Sequence, residues 1–367
     1  MIKKAINYFN KLKTNDVVRN IVIVAGLSLF IKVVAFGKES LVASYFGLSL
    51  LLDTYFIAIL IPSFIQNVFI GALKNLFIPN YITELRTTKQ KGSFHIILPI
   101  TTIAILLLFK DTFPETVLAI GLSIGSFLGF VFLLFAAIQN KVLELGKPLV
   151  NSNIRIMFKQ YLPKTTSGLL TGINPFVDQF FAAQLIIGSI AAMNYGIKIP
   201  SFFLGILILA IGNVLLPHFS ELITENLKKA FLQLFKTLKV VLIGSSVIIL
   251  VVIIFSNDII RILFERNEFS PDDTYVVSNI QKLVLISLPF NLATLICVKF
   301  LTAFNKNTFM AWVSFLNLFL NLSLNFILVK TLKVYGLVLA TTIVYFITFF
   351  IYITYTYSLY RKTTNIA

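Results

Sequence analysis

The chain has almost none of the residues on which most catalysis and metal binding depend. Cys297 is the single cysteine among 367 residues, so neither an intrachain disulfide nor a cysteine-based metal cluster can form. Its apolar neighbours make it a small packing residue. His95 and His218 are far apart and lack partners at metal-ligand spacing. No Ser-His-Asp set, paired carboxylate site or phosphate-binding glycine loop is visible, which argues against an enzyme, and no metal or organic cofactor is expected.

Charge is scarce too. Charged residues make up 13% of the chain and hydrophobic residues 57%, with a mean hydropathy of +0.91. Soluble domains run near about 45–50% apolar. So few polar residues cannot cover a water-facing surface, and the bilayer must act as solvent. The net charge of +16 does not indicate nucleic acid. Lys and Arg cluster between long apolar runs, where they act as topology signals, and no basic, aromatic polar face exists. The basic N-terminal stretch with Lys3, Lys4, Lys11, Lys13 and Arg19 precedes an apolar run with no small-residue cleavage site, so a retained first span is expected.

A spanning helix needs about 20 mostly apolar residues. Ten candidates meet this: 17–46, 51–79, 94–110, 114–138, 164–187, 194–217, 237–256, 276–303, 308–329 and 335–358. With the N-terminus in the cytoplasm, the great majority of loop Lys and Arg fall inside. Lys110, Arg261, Arg266, Lys330 and Lys333 fall outside. An even number of spans places the C-terminus inside as well.

Two segments repeat. Ile61-Pro62-Ser63-Phe64 is followed seventeen residues after its proline by Pro79, then Thr83-Glu84-Leu85. Ile199-Pro200-Ser201-Phe202 is followed at the same spacing by Pro217, then Ser220-Glu221-Leu222. Both copies run from outside to inside, so the halves are parallel repeats related by an axis along the membrane normal. The expected fold is all-α and polytopic, with about ten transmembrane helices in two pseudo-symmetric bundles around a central cavity. Residues 1–138 would form the first bundle and 164–367 the second. Residues 139–163 would form a cytoplasmic linker with an amphipathic part.

Ionisable residues inside spans each cost at least about 2.5–3.5 kcal/mol at the bilayer centre, so they mark function or pairing. Lys32, Lys38 and Glu39 lie in the first span, Asp53 opens the second, Asp178 lies in the fifth and Lys198 in the sixth. Read functionally, Lys32, Lys38 and Lys198 make a cationic cavity suited to an anionic phosphate headgroup, with Glu39, Asp53 and Asp178 as acidic partners. Read structurally, Lys38, Glu39 and Asp53 pair with one another and lock helices. Asp178 is either structural or an ion site. Pro62, Pro175 and Pro200 interrupt apolar spans and are expected kinks or hinges.

Several stretches resemble the MurJ/MviN family of lipid II flippases, within the multidrug, oligosaccharidyl-lipid and polysaccharide exporter superfamily. They are Phe30-Ile31-Lys32 through Gly37-Lys38-Glu39, Phe46-Gly47, Asp53-Thr54-Tyr55-Phe56 and Ile61-Pro62, then Tyr195-Gly196-Ile197-Lys198 with Leu215-Leu216-Pro217. Leu263-Phe264-Glu265-Arg266-Asn267-Glu268-Phe269 with Asp273-Thr274, and Gly336-Leu337 with Ala340-Thr341, extend the likeness over nearly the whole chain. By position, Lys32, Lys38 and Lys198 match cavity arginines of the family, and Asp53 its cavity aspartate. Lysine keeps the charge and loses the bidentate fork. The chain departs from the family at Gln66-Asn67, where an Arg pair is usual, and in having ten spans where fourteen are typical.

The resemblance implies a multi-pass protein of the bacterial cytoplasmic membrane. It would flip an undecaprenyl-pyrophosphate-linked glycan, lipid II above all, by alternating access, with coupling to a monovalent cation or the membrane potential. Its partners would be the lipid-linked oligosaccharide, the bilayer and cell-envelope biosynthesis enzymes. An O-antigen or other surface-polysaccharide lipid carrier is the alternative substrate, and a non-transporting scaffold paralogue the alternative role.

Overall fold

The computed structural model describes residues 16–65, 94–109, 112–113, 115–139 and 173–364. Every described element is helical. They are α1 (Asp16–Phe46), α2 (Leu50–Ile65), α3 (Phe94–Phe109), α4 (Val117–Gln139), α5 (Asn174–Ala182), α6 (Ser189–Glu225), α7 (Leu227–Ile254), α8 (Ser256–Phe264), α9 (Pro271–Ala303), α10 (Asn307–Leu332) and α11 (Val334–Thr364). Among the described residues, α4, α7, α9, α10 and α11 are each long and apolar enough to cross a membrane. The expected amphipathic linker, Gln66-Asn67 and Pro79 lie outside the described residues.

The chain divides into two compact units. Residues 1–45 and 82–150 form one; residues 46–81 and 151–367 form the other. The boundary differs from the linear division expected above, because α2 lies with the C-terminal helices. In the first unit, α3 and α4 pair as a hairpin around buried Leu106, Val117 and Leu118. Gly121 lets the two backbones approach, for a Cβ there would stand 3.2 Å from the Thr102 methyl. Small residues permit such crossings in lipid, where dispersion and not water exclusion drives helix association.

In the second unit α9 is central, running along α6, α7, α8 and α11. Aromatic rings fill the joint at one end: Phe300 meets Phe219 edge-on at 5.3 Å and Phe231 at 4.9 Å, all three fully buried. Cys297 is buried in the same cluster, as its apolar neighbours implied. The outward faces are apolar: Val240 and Val247 of α7 and Trp312 and Phe319 of α10 are each more than 60% exposed. A surface of that kind belongs against acyl chains.

Helix ends follow local chemistry. The start of α9 carries a capping box, in which Ser270 Oγ accepts from the Asp273 N–H at 3.2 Å and Asp273 accepts from the Ser270 N–H at 2.9 Å. Pro271 occupies its first turn, where its missing N–H costs nothing. Asn226 caps α7 through the Lys229 N–H at 2.9 Å. The fifth expected span, 164–187, differs: its described helix is only Asn174–Ala182, and Ile186 and Ile187 lie exposed in the turn that follows. Pro175 stands in the first turn of α5, where its missing N–H costs nothing. Pro62 and Pro200 lie inside α2 and α6, which run on past them.

Candidate functional site

Two buried carboxylates of the second unit hold its polar interior, and they do so differently. Asp53, in the first turn of α2, is 7% exposed. Its Oδ2 accepts the Gly188 N–H at 2.7 Å and its Oδ1 the Ala191 N–H at 2.7 Å. Those donors open α6, whose N-cap residue Gly188 is left-handed with φ 88° and offers no capping side chain. Asp53 supplies from another helix what Gly188 lacks, and a carboxylate at the positive end of a helix is favourably placed.

Asp178 of α5 is met by side chains. Its Oδ1 accepts from Asn325 Nδ2 at 2.7 Å and from Asn321 Nδ2 at 3.2 Å; its Oδ2 accepts from the Thr341 hydroxyl at 3.2 Å. Asn325 is fully buried, and its Oδ1 has no hydrogen-bond partner. The cluster borders a cavity of about 330 Å³ lined also by Asn194, Ser201, Ser287, Asn291 and Tyr345. Both amides turn N–H to the carboxylate here; turned over, they and the Thr341 hydroxyl would offer oxygens beside one carboxylate, a donor set for a hard cation. A single negative charge balances a monovalent ion and would leave a divalent one unneutralised in the membrane.

The expected lysines fall in both units. In the first, Lys38 Nζ pairs with Glu39 at 2.7 Å, both side chains under 20% exposed, and Lys32 lies half-buried on the same helix. In the second, Lys198 Nζ stands 5.8 Å from the Phe56 ring centroid, so it lies where α2 meets α6. Phe56 also packs edge-on against Tyr195 at 6.3 Å, and Tyr195 against Phe264 and Phe269. Asp53 is satisfied by backbone and Glu39 by Lys38. Asn321 and Asn325 were not anticipated. Their signal was the spacing Asn317, Asn321, Asn325, a polar stripe along one face of an apolar helix.

Comparison with known proteins bears on the family and the fold. The sequence profile of the family described as lipid II flippase MurJ matches residues 94–365. A probable lipid II flippase MurJ of Helicobacter pylori strain 26695 is 30% identical over 203 residues, covering 53% of this chain and 42% of that protein. The chain thus spans less than half the length of that relative. A probable lipid II flippase MurJ of Rickettsia prowazekii is 22% identical over 89% of this chain and 81% of its own length. Among solved structures, a lipid II flippase MurJ in an inward closed conformation superposes with a TM-score of 0.75 at 19% identity, over 92% of this chain and 87% of that one. An inward-facing multidrug MATE transporter superposes with a TM-score of 0.57 at 10% identity, over 92% and 89%. The fold is shared with both.

Proposed function

The chain belongs to the family of the lipid II flippase MurJ, and from that premise we propose that it moves an undecaprenyl-pyrophosphate-linked glycan, lipid II, across the cytoplasmic membrane. It is an integral membrane protein of helical spans, and its termini lie in the cytoplasm on the positive-inside reading. The headgroup enters from the inner side while the polyprenyl tail stays in the bilayer. Lys32, Lys38 and Lys198 meet the pyrophosphate oxygens. Ammonium groups suit phosphate as point charges, and Lys38 exchanges its contact with Glu39 for the ligand. Rocking of the two repeats about the site then opens the other side.

The Asp178 cluster is the coupling site in this reading. A monovalent cation would sit among Asp178, Asn321, Asn325 and Thr341, supplying positive charge that stabilises one packing of α5 against α10 and α11. An anionic headgroup leaving a negative interior also gains about 2.3 kcal/mol per charge per 100 mV.

The observation that carries the proposal is the position of Lys198, a cation in an apolar helix at the place where one repeat touches the other. Depletion of the host's flippase followed by complementation tests it. Lys198→Ala at normal membrane levels is expected to abolish rescue and Lys198→Arg to retain it. Full rescue by Lys198→Ala would favour a scaffold that does not transport.

A further inference from the structure

We infer that the bond from Asp53 to the first turn of α6 is an outer-side latch lying on the axis that relates the two repeats. Setting Pro62 on Pro200 shifts the numbering by 138, and the same shift carries Asp53 onto Ala191. Asp53 Oδ1 accepts its hydrogen bond from Ala191, 138 residues away. The two partners are therefore each other's equivalents. In a two-fold arrangement, equivalent points touch only close to the axis. The other donor, Gly188, is the equivalent of Leu50, the first residue of α2.

The latch is one-sided. The counterpart of Asp53 in the second repeat is an alanine, which cannot return the cap. The first turn of α2 is served locally, with Ser49 Oγ accepting from the Leu52 N–H at 3.3 Å. The first turn of α6 has no local side-chain cap and draws on Asp53. The flanking loops dovetail backbone to backbone. Gly47, with φ 51°, lies against the Glu268 carbonyl, and Gly188 against the Leu48 carbonyl, where a Cβ would stand 2.5 Å from the oxygen. One turn further along, Phe56 and Tyr195 continue the seam.

Such a contact has two stable conditions. Closed, the carboxylate and the α6 N–H groups satisfy each other in a dry seam. Open, water satisfies both sets, so separation leaves no orphaned polar group. A seam built from loose apolar packing alone would have no such switch. Both helices enter from the outer side on the positive-inside reading, so the latch holds the outer face shut. Calling it a latch rests on the alternating-access proposal above; the capping geometry stands without it.

The chain's single cysteine allows a test with an internal control. Cys297 is fully buried in the α9 core and reports loss of folding. Ser189→Cys places a second thiol in the first turn of α6, at a position 4% exposed. Spheroplasts are treated with a membrane-impermeant maleimide, and each site is quantified by mass spectrometry. Combining Asp53→Ala with Ser189→Cys is expected to raise outer labelling of the new thiol by about tenfold, with Cys297 silent. Unchanged labelling of the new thiol, or labelling only in inverted vesicles, would overturn the latch. Should Asp53→Ala expose Cys297, Asp53→Asn, which keeps one acceptor oxygen, carries the same test. A rise at Ser189→Cys alone then supports the latch, and joint or absent labelling overturns it. The assay reads thiol exposure and not lipid transport, so its failure is distinguishable from failure of the Lys198 complementation.

Discussion

Asp53 and Asp178 are both carboxylates placed within apolar helices of one compact unit, yet their surroundings assign them different work. Asp53 spends both oxygens on backbone N–H groups at a helix start. Backbone donors cannot turn away, so the arrangement is either made or broken. Asp178 is surrounded by Asn321, Asn325 and Thr341, whose amides and hydroxyl can present oxygen as readily as hydrogen. A partner set of that kind can exchange a hydrogen-bonded arrangement for a coordinated cation without moving the helices far. The difference separates a carboxylate that positions elements from one that can take a ligand.

The comparison can be broken most severely at the seam beside Asp53. Gly188→Val forces a β-branched residue into a left-handed conformation against the Leu48 carbonyl. A loss of more than about 3 kcal/mol is expected, seen as a lower unfolding temperature of the detergent-purified protein and reduced membrane levels. Next in size, Asp178→Ala leaves the buried Asn321 and Asn325 amides without their acceptor and is expected to cost about 2 kcal/mol. The same variant should lose any rise in unfolding temperature that the native protein shows on addition of Na⁺, Li⁺ or K⁺. Asp53→Asn sharpens the contrast. It should lower stability by about 1–2 kcal/mol while leaving the cation-dependent rise intact, because the lost bond is to backbone. A cation effect abolished equally by Asp53→Asn and Asp178→Asn would erase the distinction. Smallest of all, Arg261→Ala removes an exposed pair with Asp258 on α8 and should shift stability by less than about 0.5 kcal/mol.

Much of this molecule could be read from residue order, and the limits have physical causes. The apolar runs that became α4, α10 and α11 announced themselves because lipid demands length and hydropathy together. The start of α9 was legible in Pro271-Asp272-Asp273 because caps are local chemistry. The nine-residue α8 was not: a helix of two and a half turns is too short to give a span-length apolar run. The early start of α6 was hidden for another reason. Its cap comes from Asp53, 135 residues before Gly188, and no local pattern encodes a partner on a different helix. The importance of Asp178 was half visible. A charge in a span is conspicuous, whereas its partners Asn321 and Asn325 are neutral and pass as ordinary residues of an apolar run unless their four-residue spacing is counted. Pairing of Lys38 with Glu39 was among the alternatives that adjacency suggested.

Purified protein reconstituted into liposomes with a fluorescent undecaprenyl-pyrophosphate-linked glycan gives the most direct measurement. The rate at which outer-leaflet label becomes protected from an impermeant quencher is read for native protein and for Lys198→Ala. Native protein should translocate the lipid well above protein-free liposomes, and Lys198→Ala should slow it at least about tenfold, as expected for loss of a charge-assisted phosphate contact. Equal rates for native protein and empty liposomes, or for native protein and Lys198→Ala, would contradict a lysine-gripped flippase.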